Sequence, residues 1–423
     1  MITTIQVTDE FKLKALHWAA VNDFACVLDN NLQANAFDVS DIELLVTSGC
    51  KAKLVCDIEG AFEQLKDFTN KHKGEWMVGY LTYDLKNDVE QLTSMHPNHI
   101  GFPALCMVVP EKMLAISNKG DIISGDNWID EIEQIKLPPK ELSEPVSIKQ
   151  RVSREDYLKT VEALKQHIIQ GDVYEINYCV EFYSSYSKIN PMLVYADLIK
   201  KSPVPFGAFV KSSEHYLMCA SPERFLKKNG NRMFSQPIKG TSKRGANEAE
   251  DIALKQALLN SEKERAENLM IVDLVRNDLA RSAKTGTVKV EELFGIYSFE
   301  QVHQMISTVS ATLSDDIHWV DALKYAFPMG SMTGAPKIRA MELIEQYERT
   351  ARGLYSGAVG YITPEGDFDF NVVIRSLQYN SVNQYLNFEV GGAITYDSIP
   401  EKEYEECLIK AGAILDTLSS LGN

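Results

Sequence analysis

Short apolar runs separated by polar turns fill residues 1 to about 135. Runs of this kind are typical of β-strands. The pattern predicts strands at 25–28, 44–46, 76–83 and 104–109. A segment rich in Pro, Lys and Glu follows at 136–149, and its composition predicts a linker or a surface crossing.

After this segment the apolar spacing changes to that of an amphipathic helix. Ser153 and Asp156 resemble a helix-capping box, apolar residues then recur at helical spacing up to Ile168, and Gly171 fits the end of the helix. The same reasoning predicts helices at about 262–281, 335–348 and 401–419. Apolar runs predict strands at 174–182, 207–209, 355–362, 370–379 and 385–390.

These elements do not repeat as regular βαβ units, which favours an α+β fold over a doubly wound sheet. The chain has 423 residues, of which 45% are hydrophobic, and this is too long for one simple core. We therefore expect either two domains or one large interleaved unit. A boundary in the linker-like segment gives a strand-rich N-terminal part, 1–145, and a C-terminal part, 146–423.

The composition excludes several classes of function. The formal net charge is −16, whereas nucleic-acid binding needs clustered Lys and Arg, so we expect no nucleic-acid partner. No apolar stretch is long enough for a membrane span or a signal peptide, so we expect no membrane association. The seven cysteines lack C-x-x-C spacing. This disfavours a zinc site or a disulfide framework and fits a cytoplasmic protein.

Two of the predicted helices each carry a pair of glutamates three residues apart. Glu264 and Glu267 share one helix face, and Glu403 and Glu406 share another, with Lys410 four positions further on. Together these carboxylates could bind Mg²⁺, which prefers oxygen ligands and keeps positions open for water and substrate. The alternative for each pair is structural, because glutamates in a first turn complete capping boxes and favour the helix dipole.

Two segments of small residues could contact a ligand. In SQPIKGTSKRG, Gly240 lets the backbone beside Lys239 approach a ligand closely, and Thr241 offers a hydroxyl. In GSMTGAPK, 330–337, which contains Ser331, backbone N–H groups ahead of a helix could bind a carboxylate. The alternative for the second segment is a plain tight turn.

Three further features point to ligand contacts. Arg375 lies in the apolar run FNVVIRSLQY, and a buried arginine needs either a carboxylate ligand or a structural salt bridge. Gly391 and Gly392 permit close backbone approach after the last predicted strand. His303 is one of eight histidines and on its own is as well explained by a structural role.

The order of these segments resembles the chorismate-utilising enzymes, a family that includes anthranilate, isochorismate and salicylate synthases. The resemblance runs from about Tyr157 to Leu418. Its motifs are GDVYEINY, SPERF, PIKGT, ERAENLMIVDLVRNDL, GSMTGAPKIRAMELI, RGLYSGAVGY, FNVVIRSL, GGAITYDS and EYEECLIKA. The resemblance implies a large antiparallel-sheet, chorismate-binding fold with flanking helices, and it favours the metal interpretation of both glutamate pairs.

Individual positions indicate a branch within this family. Members that aminate chorismate at ring C4 typically carry P-I-K-G-T, as this chain does at Lys239, whereas anthranilate synthases and water-using members read P-I-A-G-T. Water-using members place a lysine base where Glu175 stands here. The N-terminal part is also similar: VLDN, 27–30, occupies the tryptophan-binding element of anthranilate synthases, with Asn30 in place of its serine.

The resemblance also implies roles for the candidate residues. Glu267 and Glu406 would bind Mg²⁺ directly, supported by Glu264 and Glu403, and the metal would hold the ring carboxylate of chorismate. The residues expected to contact substrate are Gly240, Thr241, Ser331, Tyr355, Arg375, Gly391, Gly392 and Lys410. Arg375 and Tyr355 would bind the enolpyruvyl carboxylate.

By the same resemblance, Lys239 is the nucleophile that adds at ring C2 while the 4-hydroxyl leaves. Ammonia then adds at C4 and expels the lysine. A lysine pKa near about 10.4 would have to be lowered for this role, and the alternative is an electrostatic clamp with no covalent step. His303 would assist departure of the hydroxyl, although alignment on Ser307 puts Gln304 at the place of the family's histidine.

No glutaminase motif such as G-x-C-x-G is visible in the sequence. We therefore expect a separate glutamine amidotransferase subunit to supply the ammonia. The first alternative is the anthranilate-forming reaction, which gives a different product and eliminates pyruvate. The second is a degenerate relative that serves as a sensor or binding subunit.

Overall fold

The computed structural model describes residues 5–31, 42–126, 128–138 and 146–420. Its helices are α1 (Asp9–Ala19), α2 (Ala61–Lys71), α3 (Lys86–Val89), α4 (Ile129–Glu133), α5 (Arg154–Ile169), α6 (Pro191–Lys201), α7 (Glu248–Asn260), α8 (Glu262–Ala280), α9 (Trp319–Ala326), α10 (Lys337–Tyr347) and α11 (Pro400–Ser420). Its strands are β1 (Phe24–Asp29), β2 (Ile42–Ser48), β3 (Ala52–Cys56), β4 (Met77–Leu81), β5 (Leu105–Val109), β6 (Lys112–Ser117), β7 (Ile122–Gly125), β8 (Lys149–Gln150), β9 (Glu175–Ser184), β10 (Phe206–Ser212), β11 (His215–Ser221), β12 (Arg224–Asn229), β13 (Arg232–Gln236), β14 (Ile238–Lys243), β15 (Lys289–Ser298), β16 (Val302–Thr312), β17 (Gly334–Ala335), β18 (Ala358–Ile362), β19 (Phe368–Asn371), β20 (Ser376–Asn380) and β21 (Tyr385–Ile394).

These strands form two large sheets. The first has the order β17-β9-β21-β20-β11-β10-β1-β2-β6-β7, with β8 beside β9. The second has the order β14-β16-β13-β12-β19-β18-β4-β5-β3, with β15 beside β16. The paired strands run antiparallel, as in β1 with β10, β4 with β18 and β9 with β21. The expected α+β fold built on large antiparallel sheets is confirmed.

The N-terminal and C-terminal parts share both sheets. In the first sheet β1 pairs with β10, and in the second β4 pairs with β18. A division at 145/146 therefore does not separate two independent sheets, and the interleaved alternative describes the molecule. Most of the predicted linker, 139–145, lies outside the described residues.

Apolar side chains fill three layers. The interior between the sheets is built from alternate strand residues of both, such as Phe24 and Leu217 from the first sheet and Tyr80 from the second. Helices α1, α5, α6, α10 and α11 cover the outer face of the first sheet. Helices α2, α8 and α9 cover the outer face of the second. The two outer helical layers bring α8 and α11 close together, where Lys263 of α8 lies 4.0 Å from Glu403 of α11.

Most predicted elements are present with small shifts in their ends. Ser153 caps α5 by accepting a hydrogen bond from the Asp156 N–H, and Gly171 follows the helix with a φ of 84°. The helices predicted near 262–281, 335–348 and 401–419 correspond to α8, α10 and α11. No helix in the described ranges combines the length and apolar character that a membrane crossing requires.

Two strand predictions need correction. The run 370–379 is not one strand: β19 ends at Asn371 in the second sheet, and β20 begins at Ser376 in the first. Arg375 lies at this crossing with a φ of 49°, so it is not an interior strand residue. Gly391 and Gly392 do not follow the last strand but lie within β21, paired with Cys179 and Tyr178.

Candidate active site

Lys239 lies on β14 in an acidic environment. Its ammonium is 2.8 Å from Oε1 of Glu175, and its side chain is only 11% exposed. Burial alone would lower the pKa of Lys239, but the carboxylates of Glu175, Glu267 and Glu223 outweigh it and raise the pKa above its usual value. The resting lysine is therefore protonated, and nucleophilic attack requires its proton to leave first.

The glycine after Lys239 brings β14 against α8. Gly240 has a φ of 92°, and a Cβ atom there would come within 2.9 Å of Oε2 of Glu264. A side chain at this position would be strained by the positive φ and would crowd the Glu264 side chain. The PIKGT segment therefore places Lys239 beside the glutamates of α8.

Glu223 of the SPERF motif is also part of this pocket, although no pattern in the sequence selected it. Its side chain is 4% exposed. Burial raises the pKa of Glu223 to about 7, against the opposing effects of the nearby Ser331 hydroxyl and the charge of Lys239. A carboxyl group of this pKa can donate a proton near neutral pH. The same contact places Ser331, a predicted substrate residue, at the pocket.

The two glutamate pairs converge, and each has one buried member. Glu267 is 8% exposed and Glu403 is 5% exposed. The Lys263 ammonium lies between them, 3.7 Å from Oε1 of Glu267 and 4.0 Å from Oε1 of Glu403. Burial opposes the charge on Lys263, but the carboxylates raise its pKa. The protein's own cation thus lies between carboxylates from two different helices.

The donor chemistry of these carboxylates is that of magnesium ligands. Oε1 of Glu267 is buried and accepts no hydrogen bond from the described residues, and burial raises the pKa of Glu267 to about 7. Such an oxygen is stabilised by a cation, and a set of carboxylate oxygens is what Mg²⁺ prefers. Within the described residues, no three Asp, Glu, His or Cys side chains already form a metal-binding cluster. The residues fit Mg²⁺ by donor type, and the ion remains a proposal.

The outer part of this acidic group is more exposed. Glu406 accepts a hydrogen bond from Nζ of Lys410 at 2.8 Å, and Lys410 also donates to the Gly391 carbonyl at 2.8 Å. Burial raises the pKa of Glu406, but Lys410 and the other nearby lysines together outweigh burial. The pKa of Glu406 is therefore below its usual value. A Cβ atom at Gly392 would lie within 4 Å of Lys410, Glu403 and Glu406. The two glycines of β21 therefore border the glutamates of α11.

Arg375 differs from the other cations because its guanidinium has no partner. Among the described residues, no ion pair or hydrogen bond engages its side chain, and only its backbone carbonyl accepts a bond, from the Ala220 N–H. Burial lowers the pKa of Arg375, with Glu223 acting in the opposite direction. An unpaired, largely buried guanidinium is suited to an anionic ligand.

Tyr355 lies deeper in the same region. It is 4% exposed, and its hydroxyl is 3.7 Å from Sγ of Cys179, the partner of Gly391 in the sheet. Arg352, three residues earlier, is fully buried and donates to Glu348, the Met332 carbonyl and the Asn177 carbonyl. This network fixes the GSMTGA turn and β9 around Tyr355.

His303 and Gln304 are neighbours on β16, so their side chains point to opposite faces of the sheet. Nδ1 of His303 lies 2.9 Å from the Ser298 hydroxyl, and its Nε2 lies 3.1 Å from Oδ1 of Asp251. Gln304 instead lines a cavity together with Arg375. The structure therefore does not gather His303 with Lys239 and Arg375, and Gln304 is the residue of this strand that reaches the site.

The sequence analysis missed four residues of this site: Glu175 as the partner of Lys239, Glu223, Lys263 and Gln304. Glu223 and Glu175 lie inside the motifs SPERF and GDVYEINY. The sequence analysis recognised these motifs but assigned neither residue a role in catalysis. Lys263 gave no signal, because its significance depends on what the fold places beside it. Gln304 was noted only as the residue at the place of the family's histidine and was given no role.

The VLDN segment lies away from Lys239, at the end of β1. Leu28, Asp29 and Asn30 line a separate pocket with Phe206 and residues of β18 and β19. Asp29 pairs with Lys12 at 2.8 Å. The replacement of serine by Asn30 thus falls within a pocket, in a part of the molecule distinct from the acidic site.

Comparison with known proteins shows similarity over most of the chain. An aminodeoxychorismate synthase of Streptomyces griseus is 44% identical over 273 residues, which are 64% of this chain and 37% of that longer relative. Anthranilate synthase component 1 of Thermus thermophilus is 35% identical, over 80% of this chain and 76% of the relative. Aminodeoxychorismate synthase component 1 of Bacillus subtilis is 32% identical, over 84% and 79%.

A solved structure gives the same result for the fold. Anthranilate synthase component I from Streptococcus pneumoniae superposes with a TM-score of 0.78 and 25% identity, covering 90% of this chain and 93% of that one. The family model described as chorismate binding enzyme matches residues 34–416. The chain therefore belongs to the family of chorismate-binding enzymes.

Proposed function

We propose that this chain is component 1 of an aminodeoxychorismate synthase. It converts chorismate and ammonia to 4-amino-4-deoxychorismate and water, which supplies 4-aminobenzoate and folate biosynthesis. Relatives named for this activity and relatives named for anthranilate synthesis are both similar to the chain. The observation that carries the choice is Lys239, a buried ammonium held 2.8 Å from Glu175 in the acidic pocket.

Binding of chorismate uses the unpaired cation of the site. The enolpyruvyl carboxylate pairs with the Arg375 guanidinium, whose charge otherwise lacks a counterion among the described residues. Tyr355 and the backbone of Gly391 both lie beside Cys179. Substrate binding therefore neutralises a charge that burial makes costly.

The first chemical step replaces the 4-hydroxyl by a bond to the enzyme. Lys239 passes its proton to Glu175, and the free amine attacks ring C2 while the ring double bond shifts. The C4–O bond breaks, and Glu223, protonated because its pKa is about 7, supplies the proton that lets the hydroxyl leave as water. The nucleophile, the base and the acid of this step are all side chains of this protein.

The second step restores the lysine. Ammonia attacks C4, the double bond shifts back, and the C2–N bond to Lys239 breaks. The departing amine takes up the proton that ammonia releases, so Lys239 returns to its protonated state. The proton held by Glu175 exchanges through water to Glu223, which returns both carboxyl groups to their starting states. The alternative, in which Lys239 only clamps the substrate, requires ammonia to displace the hydroxyl directly.

We further propose that Glu267, Glu403 and Glu406 hold Mg²⁺, with Glu264 in support. The ion would bind the ring carboxylate and stabilise negative charge as a Lewis acid. The unsatisfied Oε1 of Glu267 supports this assignment. Lys263 lies between the buried carboxylates, and its side chain is 48% exposed, so it can turn outward to make room for a cation.

Ammonia is expected from a separate glutaminase subunit. Relatives called component 1 support this expectation by their names. A second subunit that hydrolyses glutamine would raise the local concentration of ammonia at the site. In a test with this chain alone, ammonium salts at high concentration replace the glutaminase subunit as the source of ammonia.

A product assay tests the proposal. The purified chain is incubated with chorismate, Mg²⁺ and ammonium chloride, and the products are separated by chromatography with and without added aminodeoxychorismate lyase. We expect 4-aminobenzoate only when lyase is present. Fluorescent anthranilate without lyase would instead support the anthranilate reaction, and no product under any nitrogen source would support a sensor or binding subunit.

Magnesium is tested in the same assay. Activity should be lost with excess chelator and recovered with Mg²⁺. Glu267→Gln should raise the Mg²⁺ concentration needed for half-maximal rate, whereas Glu262→Gln, at an exposed position on the same helix, should not. Equal Mg²⁺ dependence in both variants would remove Glu267 from the metal site.

A further inference from the structure

A small cavity adjoins the site beside Arg375. Its volume of about 40 Å³ exceeds what one water-sized molecule needs. The cavity can therefore hold a ligand close to water in size.

The cavity connects the site with the surface. Pro203, Val204, Pro222 and Phe299 give it largely apolar walls. At its outer side lies Gln301, which is exposed and donates a hydrogen bond to the Lys201 carbonyl at the end of α6. A small molecule entering here passes between α6 and the β15–β16 hairpin and arrives at Arg375.

Gln304 provides one polar group at the inner end. Its side chain is 2% exposed, and its Oε1 atom accepts no hydrogen bond. A buried acceptor without a donor is costly, so this oxygen is suited to a ligand that carries an N–H or O–H group. The backbone position of Gln304 is fixed by pairing with Thr241 of the PIKGT strand.

The surroundings discriminate between neutral and charged ligands. The Arg375 guanidinium repels a cation at the inner end, and apolar walls disfavour any ion. Ammonia therefore meets a lower barrier than ammonium. The neutral form is also the one that carries the lone pair needed for attack on carbon.

We propose that this cavity is an ammonia-binding site and that Oε1 of Gln304 accepts a hydrogen bond from the bound ammonia. This inference rests on the proposed function. It adds the route by which ammonia, the second substrate, reaches the site and the residue, Gln304, that it contacts there. One N–H is held by Gln304, and the lone pair attacks C4. The C–N bond forms as the bond from C2 to Lys239 breaks, and the surplus proton goes to the departing lysine amine.

Steady-state kinetics with the full chain test this proposal. The rate is measured against ammonium chloride concentration at fixed pH, with saturating chorismate and Mg²⁺. Gln304→Leu should raise the KM for ammonia about tenfold, the effect of one lost hydrogen bond, with the KM for chorismate changed less than about twofold. Gln304→Glu, which keeps an acceptor, should restore part of the loss.

A second variant acts without touching Gln304. Val302→Trp fills the cavity from a partly exposed position and should lower kcat/KM for ammonia, whereas Val382→Trp, at an 80% exposed hairpin residue, should not. If the wild type is active and neither Gln304→Leu nor Val302→Trp changes the KM or kcat/KM for ammonia, the cavity is not the ammonia site. An inactive wild type would instead overturn the proposed function itself.

Discussion

Lys239 and Arg375 are two cations of one site, and their surroundings differ in kind. Lys239 lies against Glu175, and the nearby carboxylates raise its pKa despite burial. Arg375 makes no ion pair with the described residues, and burial lowers its pKa despite the opposing effect of Glu223. The first cation is paired before substrate arrives, and the second gains a pairing partner with substrate. This difference separates a group that reacts from a group that binds.

The largest expected effect comes from removing the reacting cation. Lys239→Ala should lower kcat on the order of 10⁴-fold, comparable to loss of a member of a catalytic triad. Chorismate binding, measured by equilibrium titration, should persist because Arg375 is intact. Wild-type turnover in this variant would show that Lys239 is neither the nucleophile nor a clamp for the substrate.

The acid beside Lys239 gives the next effect. Glu223 has its pKa raised to about 7 by burial, so it is protonated below that pH and loses its proton above it. Wild-type kcat should therefore fall as pH rises through about 7. Glu223→Gln should lower kcat about 100-fold and remove this fall from the pH profile.

The control for this pH profile is Glu214→Gln, which changes a glutamate with a partly exposed side chain. It should keep the wild-type profile. A decline near pH 7 that persists in Glu223→Gln would show that another group supplies the proton.

Arg375→Leu should act on binding more than on chemistry. Loss of a charged hydrogen-bonding partner should raise the KM for chorismate about tenfold to thirtyfold, with a smaller change in kcat. Because the apo protein loses an unpaired buried charge, its melting temperature should stay equal or rise. A marked drop in melting temperature would instead reveal a structural role for Arg375.

Local periodicity was sufficient to predict the helices that carry the glutamates. Ser153, Gly171 and the apolar spacing predicted α5, and similar patterns predicted α8 and α11. Which glutamate of each pair is buried was not predictable. Burial of Glu267 and Glu403 depends on how α8 and α11 pack, and this is a tertiary property.

Arg375 shows why the rest of the site could not be predicted from the sequence. The apolar run around it reads as one strand, yet the chain leaves the second sheet at Asn371 and enters the first at Ser376. Periodicity carries no information on which sheet a strand joins. His303 and Gln304 illustrate the same limit, because the face that each presents depends on the register of β16.

The last prediction concerns the partner of Lys239. Glu175→Gln removes the group that takes the Lys239 proton in the proposed first step, so that proton must leave to water. The rising limb of the kcat profile should therefore move to higher pH, toward the pKa of Lys239. Loss of the neighbouring carboxylate also lowers the pKa of Lys239, which offsets part of the effect, so kcat at neutral pH should fall by less than in Glu223→Gln.

Glu181→Gln is the matched control for this shift. Glu181 lies on the same strand, β9, and is equally buried, but its partners are Arg151 and Tyr385 rather than Lys239. Its substitution should cost stability without moving the rising limb. If Glu175→Gln and Glu181→Gln leave the limb in the same place, the proton on Lys239 does not govern the rate. Lys239 would then act as Arg375 does, by charge alone.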